Sequence, residues 1–271
     1  MTKRGLGILS WKGYDSLQLV MQGLHDNRIL DHFDEHFVFF PEIDDEARLI
    51  AEKFQFQYSG SERNLGIFGG FRAMAQAMRS DTVLLLENDL HALTSPEDSE
   101  RQLHISFDLI EQQTAQVVCL RHTRVPGDFD AVRRKFQRYF PPADSPMLDR
   151  LKGRVRQAIR PRKWKRLIGH APLVLDRPED HFAEITRDAE TGFWMMPTAH
   201  RNWTNLAVMV DRRFYVEELM EQVARTNSRR RVNGFKNIEI ELNSAWWRNQ
   251  PWTVAIAPGI FSHHRTGSRG Y

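Results

Sequence analysis

Thr82-Val83-Leu84-Leu85-Leu86-Glu87-Asn88-Asp89-Leu90-His91 is the stretch on which the fold turns. It begins as a short run of Val and Leu with no polar residue at helical spacing, which reads as a β-strand covered on both faces. Such strands occupy the middle of open α/β sheets, and those sheets bind ligands at the carboxyl ends of their strands. The run ends in Glu87, Asn88 and Asp89, so two carboxylates arrive where a ligand would sit. On an extended backbone, residues two apart point the same way. Paired carboxylates there suit a hard divalent cation, or the cation that accompanies a diphosphate. A polar turn closing a strand would have the same composition, so the flanking chain has to decide.

Toward the N-terminus the pattern alternates. Residues 5–10 read as a strand, and 14–30 as a helix with Leu17, Val20, Met21 and Leu24 on one face. A second strand over 36–40 stops at Pro41. A helix over 44–54 follows, with Ala47, Ile50, Ala51 and Phe54 on one side, then a short strand over 56–58. Ser61-Glu62-Arg63-Asn64-Leu65-Gly66-Ile67-Phe68-Gly69-Gly70 is a glycine-bearing turn into a helix over 71–78. Its glycines permit close backbone approach to a phosphate or sugar. Their spacing matches neither the P-loop nor the dinucleotide fingerprint. The strand–helix alternation argues for a mostly parallel sheet with crossover helices.

Beyond His91, residues 101–114 read as a helix and 115–120 as another buried strand. From 121 to about 200 the pattern loosens and eight prolines punctuate it, which reads as a variable or partly mobile insertion rather than a second independent domain. Order returns with a strand over 206–210, helices over 213–225 and 238–247, and a strand over 252–257. One domain of 271 residues results: a ligand-binding half over 1–120, the insertion over 121–200, and a closing half over 201–271.

The composition, 41% hydrophobic and 11% aromatic, is that of a folded globular protein and excludes a disordered chain. No apolar run is long enough to cross a bilayer. The basic N-terminus and short apolar stretch meet Lys12, Tyr14 and Asp15 at once, so they read as a first strand, not a signal peptide. A single cysteine, Cys119, excludes a disulfide framework within the chain and points to a reducing cytoplasm. Cys119 itself, within Val117-Val118-Cys119-Leu120, reads as a small core residue.

The net charge is only +3, but residues 150–166 hold nine Lys or Arg and no acid. Across 150–168, Leu151, Val155 and Ile159 recur every four residues among these cations. A basic, amphipathic helix suits an anionic membrane surface on the inner face. It also suits nucleic-acid phosphates, the less favoured partner, or simple packing on its own protein with a solvated face.

Three polar groups carry candidate chemistry. The first is Glu87-Asn88-Asp89-Leu90-His91. The second is Asn237-Ile238-Glu239-Ile240-Glu241-Leu242-Asn243 at a helix start, where Glu239 and Glu241 cannot share a face. One of them is free to turn inward while the other meets water or a base. The third is His263-His264-Arg265 after a buried strand and a Pro-Gly turn. Imidazoles are metal ligands, and arginine holds phosphates by paired hydrogen bonds.

These residues resemble those of the GT-A glycosyltransferases, most closely the inverting family 2. In that family a strand like 82–86 ends in an Asp-X-Asp motif, whose place Glu87-Asn88-Asp89 takes. Acids after the second strand, here Glu42, Asp44 and Asp45, lie near the nucleotide base. Asn64-Leu65-Gly66 with Gly69-Gly70 matches the turn before its next helix. Asn205-Leu206-Ala207-Val208-Met209-Val210-Asp211-Arg212-Arg213-Phe214 resembles the acceptor-side strand and turn, Glu239-Ile240-Glu241-Leu242 the segment that carries the catalytic base, and Gly259-Ile260-Phe261-Ser262-His263-His264 the closing strand.

The resemblance implies an α/β fold of the GT-A, Rossmann-like kind: a mostly parallel central sheet flanked by helices, with a basic helical insertion. It implies transfer of a sugar from a nucleotide-diphosphate sugar to a hydroxyl of a glycan or lipid-linked acceptor, with inversion, in bacterial surface polysaccharide synthesis. Glu239 is then the catalytic base. Glu42, Asp44, Asn64, Gly66, Glu87 and Arg265 bind the nucleotide-sugar, and Asp89, His263 and His264 hold Mn²⁺ or Mg²⁺. Trp194, Trp203, Trp246 and Trp247 offer flat faces for sugars or for the core. Two other readings use the same residues: a noncatalytic protein binding nucleic acid or membrane, and a nucleotide-sugar hydrolase.

Overall fold

A computed structural model describes residues 2–226 and 228–264. Residues 82–86 are buried on both sides, as their composition requires. Val83 and Leu85 belong to one hydrophobic core, Leu84 and Leu86 to a second across the sheet.

The chain runs β1 (Arg4–Leu9), α1 (Tyr14–Asp26), β2 (Glu35–Pro41), α2 (Asp45–Lys53), β3 (Gln57–Ser61), α3 (Gly66–Ala77) and β4 (Thr82–Glu87). It continues through β5 (Leu90–Ala92), α4 (Pro96–Glu111), β6 (Val117–Arg121), α5 (Asp130–Tyr139), α6 (Met147–Ile159) and α7 (Pro161–Lys165). The remainder is β7 (Thr186–Arg187), β8 (Trp194–Pro197), β9 (Val208–Asp211), a π-helical turn (Phe214–Met220) leading into α8 (Glu221–Arg225), α9 (Ile238–Leu242), α10 (Ala245–Arg248) and β10 (Thr253–His263).

The ten strands form one sheet, ordered β3-β2-β1-β4-β9-β6-β10-β8-β7, with β5 also paired to β10. Strands β1 to β4, β6 and β10 run one way, while β9 lies antiparallel between β4 and β6. The sheet is therefore mostly parallel, with β9 turning the closing half back against the first. The α/β expectation is met.

Local differences from the sequence reading have local causes. Helix α4 starts at Pro96, earlier than the periodicity suggests, because Ser95 caps it: its Oγ accepts the Asp98 N–H at 3.2 Å. The helix expected over 238–247 is two short helices. Asn243 breaks it by pairing its side chain with the main chain of Trp203, accepting from N at 2.7 Å and donating to O at 3.1 Å. The 121–200 segment is not loosely attached. Phe136, Tyr139, Leu167, Phe182, Ile185, Trp194 and Met196 join the same core as Val83 and Leu85.

Strand β10 holds the two halves together. It pairs with β6, β8 and β5, and its register against β6 shifts between Ile256 and Phe261. Gly259 makes that irregularity possible. Its φ is +102°, and a Cβ there would lie 2.3 Å from the His122 Cα and 2.4 Å from the Arg121 carbonyl oxygen. No flexible side chain can yield to relieve that contact. Gly259→Ala is expected to cost about 3 kcal/mol or more, read as a lowered urea midpoint with unchanged m-value. A loss under 1 kcal/mol would mean that the strand does not need this backbone.

Candidate active site

The carboxyl ends of β1 and β4 lie side by side, with Leu9 opposite Glu87. A cleft of about 660 Å³ opens there. Its walls come from both halves of the chain: Trp11, Asn64, Gly66, Glu87 and Asn88 on one side, and Asn205, Phe235, Lys236, Glu239 and His263 on the other. This is where open α/β sheets place ligands.

Asn88 builds the turn after β4. Its Nδ2 donates to Ser10 Oγ at 3.2 Å and to the Lys12 carbonyl at 3.0 Å, tying the end of β4 to the loop after β1. The two carboxylates therefore part company at a turn instead of continuing along an extended strand. Glu87 lines the cleft. Asp89 is 2% exposed and turned beneath β10, where its Oδ2 lies 3.2 Å from His263 Nε2.

The closing strand ends at His263 and places it in the cleft. His263 lines the cleft, and its main chain is clamped by Pro126 and Asp128. Its Nδ1 is buried without a hydrogen-bond partner among the described residues. His264, just past the end of β10, pairs its Nε2 with Ser262 Oγ at 2.7 Å. Of the three residues expected to hold the ion, Asp89 and His263 lie together, while the His264 ring is paired with Ser262. Among the described residues, three His, Asp or Glu side chains with ligand atoms within 4.8 Å of one another occur only at His32, Glu100 and His104, away from the cleft. Arg265, expected on the diphosphate, lies outside the described residues.

The acids after β2 take supporting positions. Glu42 accepts from Trp11 Nε1 at 2.5 Å and lies 3.9 Å from Lys12 Nζ, so it positions the indole that lines the cleft. Asp44 does not line the cleft. It caps α2, accepting the Ala47 N–H at 2.9 Å, and its hydrogen bond joins burial in pushing the Tyr14 phenol up. Asn64 Oδ1 accepts the Gly66 N–H at 2.7 Å, fixing the turn at the N-terminus of α3. Gly66 has φ +65°, and a Cβ there would collide with the Phe235 ring at 2.4 Å.

The opposite wall comes from α9. Asn237 caps it, accepting the Ile240 N–H at 3.1 Å. Glu239, in its first turn, reaches the cleft and accepts the Asn205 N–H at 3.2 Å. Glu241 faces the other way, buried, with Arg231 Nη1 at 3.8 Å. The two acids divide between the cleft and a cation.

Behind this wall, charge is concentrated. Burial, aided by Arg201, pushes Arg121 down to about 10, and Glu239 acts in the opposite sense on it. Burial and the cations Arg201, Lys135 and Arg121 push the His170 imidazole down to about 3. His170 is therefore neutral when folded, whereas unfolded it titrates near 6.5. The unfolded chain binds the extra proton between those values, so stability is complete above about pH 6.5 and falls as pH drops toward 3. Burial lowers His32, His91 and His122 as well, adding to the same slope. Urea midpoints measured between pH 7 and pH 4.5 are expected to fall less steeply in His170→Gln than in the parent chain. Parallel curves would contradict a buried neutral His170.

Some cleft residues escaped the sequence reading. Val232 and Phe235 bridge a hairpin whose tip, Asn233-Gly234, has φ +51° and +82°. Asn-Gly is the strongest short hairpin signal and could have been found. Lys236 anchors the hairpin by donating to the carbonyls of Val223, Ala224 and Thr226 at the end of α8. The tryptophans considered for sugar stacking include three core residues, Trp194, Trp203 and Trp247. The indole in the cleft is Trp11.

This arrangement is that of a GT-A fold. No protein-family profile matches the chain, and no curated protein matches it. Among solved structures, Staphylococcus aureus TarS aligns over 98% of this chain and 37% of its own, with 10% identity and a TM-score of 0.53. Mycobacterium tuberculosis glucosyl-3-phosphoglycerate synthase, in complex with Mn²⁺, UDP and phosphoglyceric acid, aligns over 98% and 72% with 13% identity and a TM-score of 0.50. The same synthase with Mg²⁺ and UDP aligns over 98% and 73% at 12% identity, also with a TM-score of 0.50. The chain spans little more than a third of TarS. At these identities the likeness is one of fold.

Proposed function

We propose that the chain is a glycosyltransferase that uses a nucleotide-diphosphate sugar and a hydroxyl acceptor. The observation that carries this reading is the cleft itself, a space of about 660 Å³ lined by Glu87, Glu239 and His263, with Asp89 buried against His263. The synthase structures of similar fold are described as complexes with UDP and Mn²⁺ or Mg²⁺, which supports ligands of that class here.

The donor nucleoside lies against Trp11, steadied by Glu42, and the diphosphate lies toward the glycine turn that opens α3. Asp89 and His263 suit a divalent ion: a carboxylate oxygen and an imidazole nitrogen 3.2 Å apart, beside an open cleft that leaves room for phosphate oxygens. Such an ion would offset charge on the departing diphosphate. Glu239 takes the proton as the acceptor oxygen attacks the anomeric carbon and the bond to the diphosphate breaks. Direct displacement of this kind inverts the anomeric centre. Glycan or lipid-linked hydroxyls are the acceptor class proposed.

Thermal unfolding against UDP-, GDP-, CMP- and dTDP-linked ligands, with and without Mn²⁺, tests the reading. One nucleotide series should raise the midpoint by several degrees near saturation, and more so with metal. No shift with any nucleotide would overturn it. Sugar release without acceptor dependence would instead indicate a hydrolase.

A further inference from the structure

Helix α6 carries an apolar stripe that the protein leaves uncovered. Met147 is 80% exposed, Leu148 60%, Leu151 55%, Val155 48% and Ile159 71%. Of the residues of α6 only Gly153 is buried, seated against Pro141. Its neighbours on that side donate to α5: Gln157 Nε2 to the Tyr139 carbonyl at 2.5 Å, and Arg156 to the Arg138 carbonyl at 3.1 Å. At about 100° per residue, the apolar stripe spans roughly 120° and is centred nearly opposite Gly153 and Gln157. The stripe therefore points straight away from the body of the protein.

Cations border it on both sides. Arg150 and Arg154 flank one edge, Lys152 and Arg156 the other, and α7 adds further exposed basic residues. Residues 150–166 contain nine Lys or Arg and no acid. Such long side chains can lay their stems along an apolar surface while their charges reach outward. Two copies meeting through this face would bring like charges together, which disfavours self-association. A nucleic acid would satisfy the cations and leave the stripe without a role.

We propose that α6 docks on an anionic lipid surface, with the stripe in the headgroup boundary and the flanking cations on lipid phosphates. The inference goes beyond the transferase reading and does not depend on it, because α6 contributes nothing to the lining of the cleft.

Cosedimentation of the full chain with vesicles tests it. The chain should bind vesicles of two parts phosphatidylcholine to one part phosphatidylglycerol at least tenfold more tightly than pure phosphatidylcholine, and raised salt should weaken binding. Leu151→Asp with Val155→Asp, and separately Arg150→Glu with Arg154→Glu, should each weaken binding about 10- to 100-fold. All four positions are exposed, so thermal midpoints and nucleotide-induced shifts should stay at parent values in both variants. Equal affinity for neutral and anionic vesicles, or no change in the variants, would overturn the proposal. So would tighter binding to duplex DNA or RNA that ignores the aspartate pair, or self-association abolished by that pair without vesicle binding. A nucleotide shift that survives loss of vesicle binding separates this inference from the donor site.

Discussion

Glu239→Gln is expected to lower kcat by about 10²- to 10⁴-fold while leaving the nucleotide-induced rise in thermal midpoint intact. The substitution is conservative in shape. An amide oxygen can still accept the Asn205 N–H that Glu239 Oε1 accepts at 3.2 Å, and the Asn237 cap of α9 is untouched. What disappears is a carboxylate able to take a proton from the acceptor. The loss should therefore fall on the chemical step, seen in single-turnover rates with saturating donor. Glu241→Gln provides the contrast. That acid is buried beside Arg231 and away from the cleft, so its replacement should lower stability and leave the rate constant within a few-fold. If the two variants exchanged these effects, the base would be Glu241. If neither lowered the rate, the base would lie elsewhere.

Asp89→Asn carries the second large effect. Its side chain is nearly inaccessible and lies 3.2 Å from His263 Nε2, so the isosteric amide is expected to preserve local packing. It removes the negative charge that an ion would need. The increment that Mn²⁺ adds to the nucleotide shift should vanish, and kcat/KM should fall by about two orders of magnitude or more, the scale on which loss of electrostatic stabilisation acts. His263→Ala should do the same. The double variant should lose little beyond either single one, because residues that act as a unit are not additive. A metal increment that persists in Asp89→Asn would make the pair a structural clasp between β4 and β10.

The division of labour in this cleft explains why part of it was legible in the chain. Leu84-Leu85-Leu86 reads as a buried strand, since neither face tolerates water, and the acids after it fall at the carboxyl end of a central strand. The spacing of Glu239 and Glu241 likewise forced them onto different faces of α9. Each is a consequence of backbone periodicity, which the sequence carries locally.

Other features depended on partners far away in the chain. Asp89 meets His263 across 174 positions, and Asn88 reaches back to Ser10 across 78. Asp44 caps α2 and Glu42 holds Trp11, partnerships that neither acid's local sequence announces. Whether α6 packs on its protein or faces outward is equally silent in its own residues. An apolar stripe describes a face to be covered, and only the position of Gly153 against Pro141 decides which way that face turns. By itself the sequence determined seven of the ten strands, all but β5, β7 and β8, together with the crossover helices and the residue types of a carboxylate-rich cleft, because these follow from short-range periodicity and burial. The tertiary structure decided which of those carboxylates meet, which serve as caps, and which surface stays bare, because side-chain partnership is set by strand order and long-range packing.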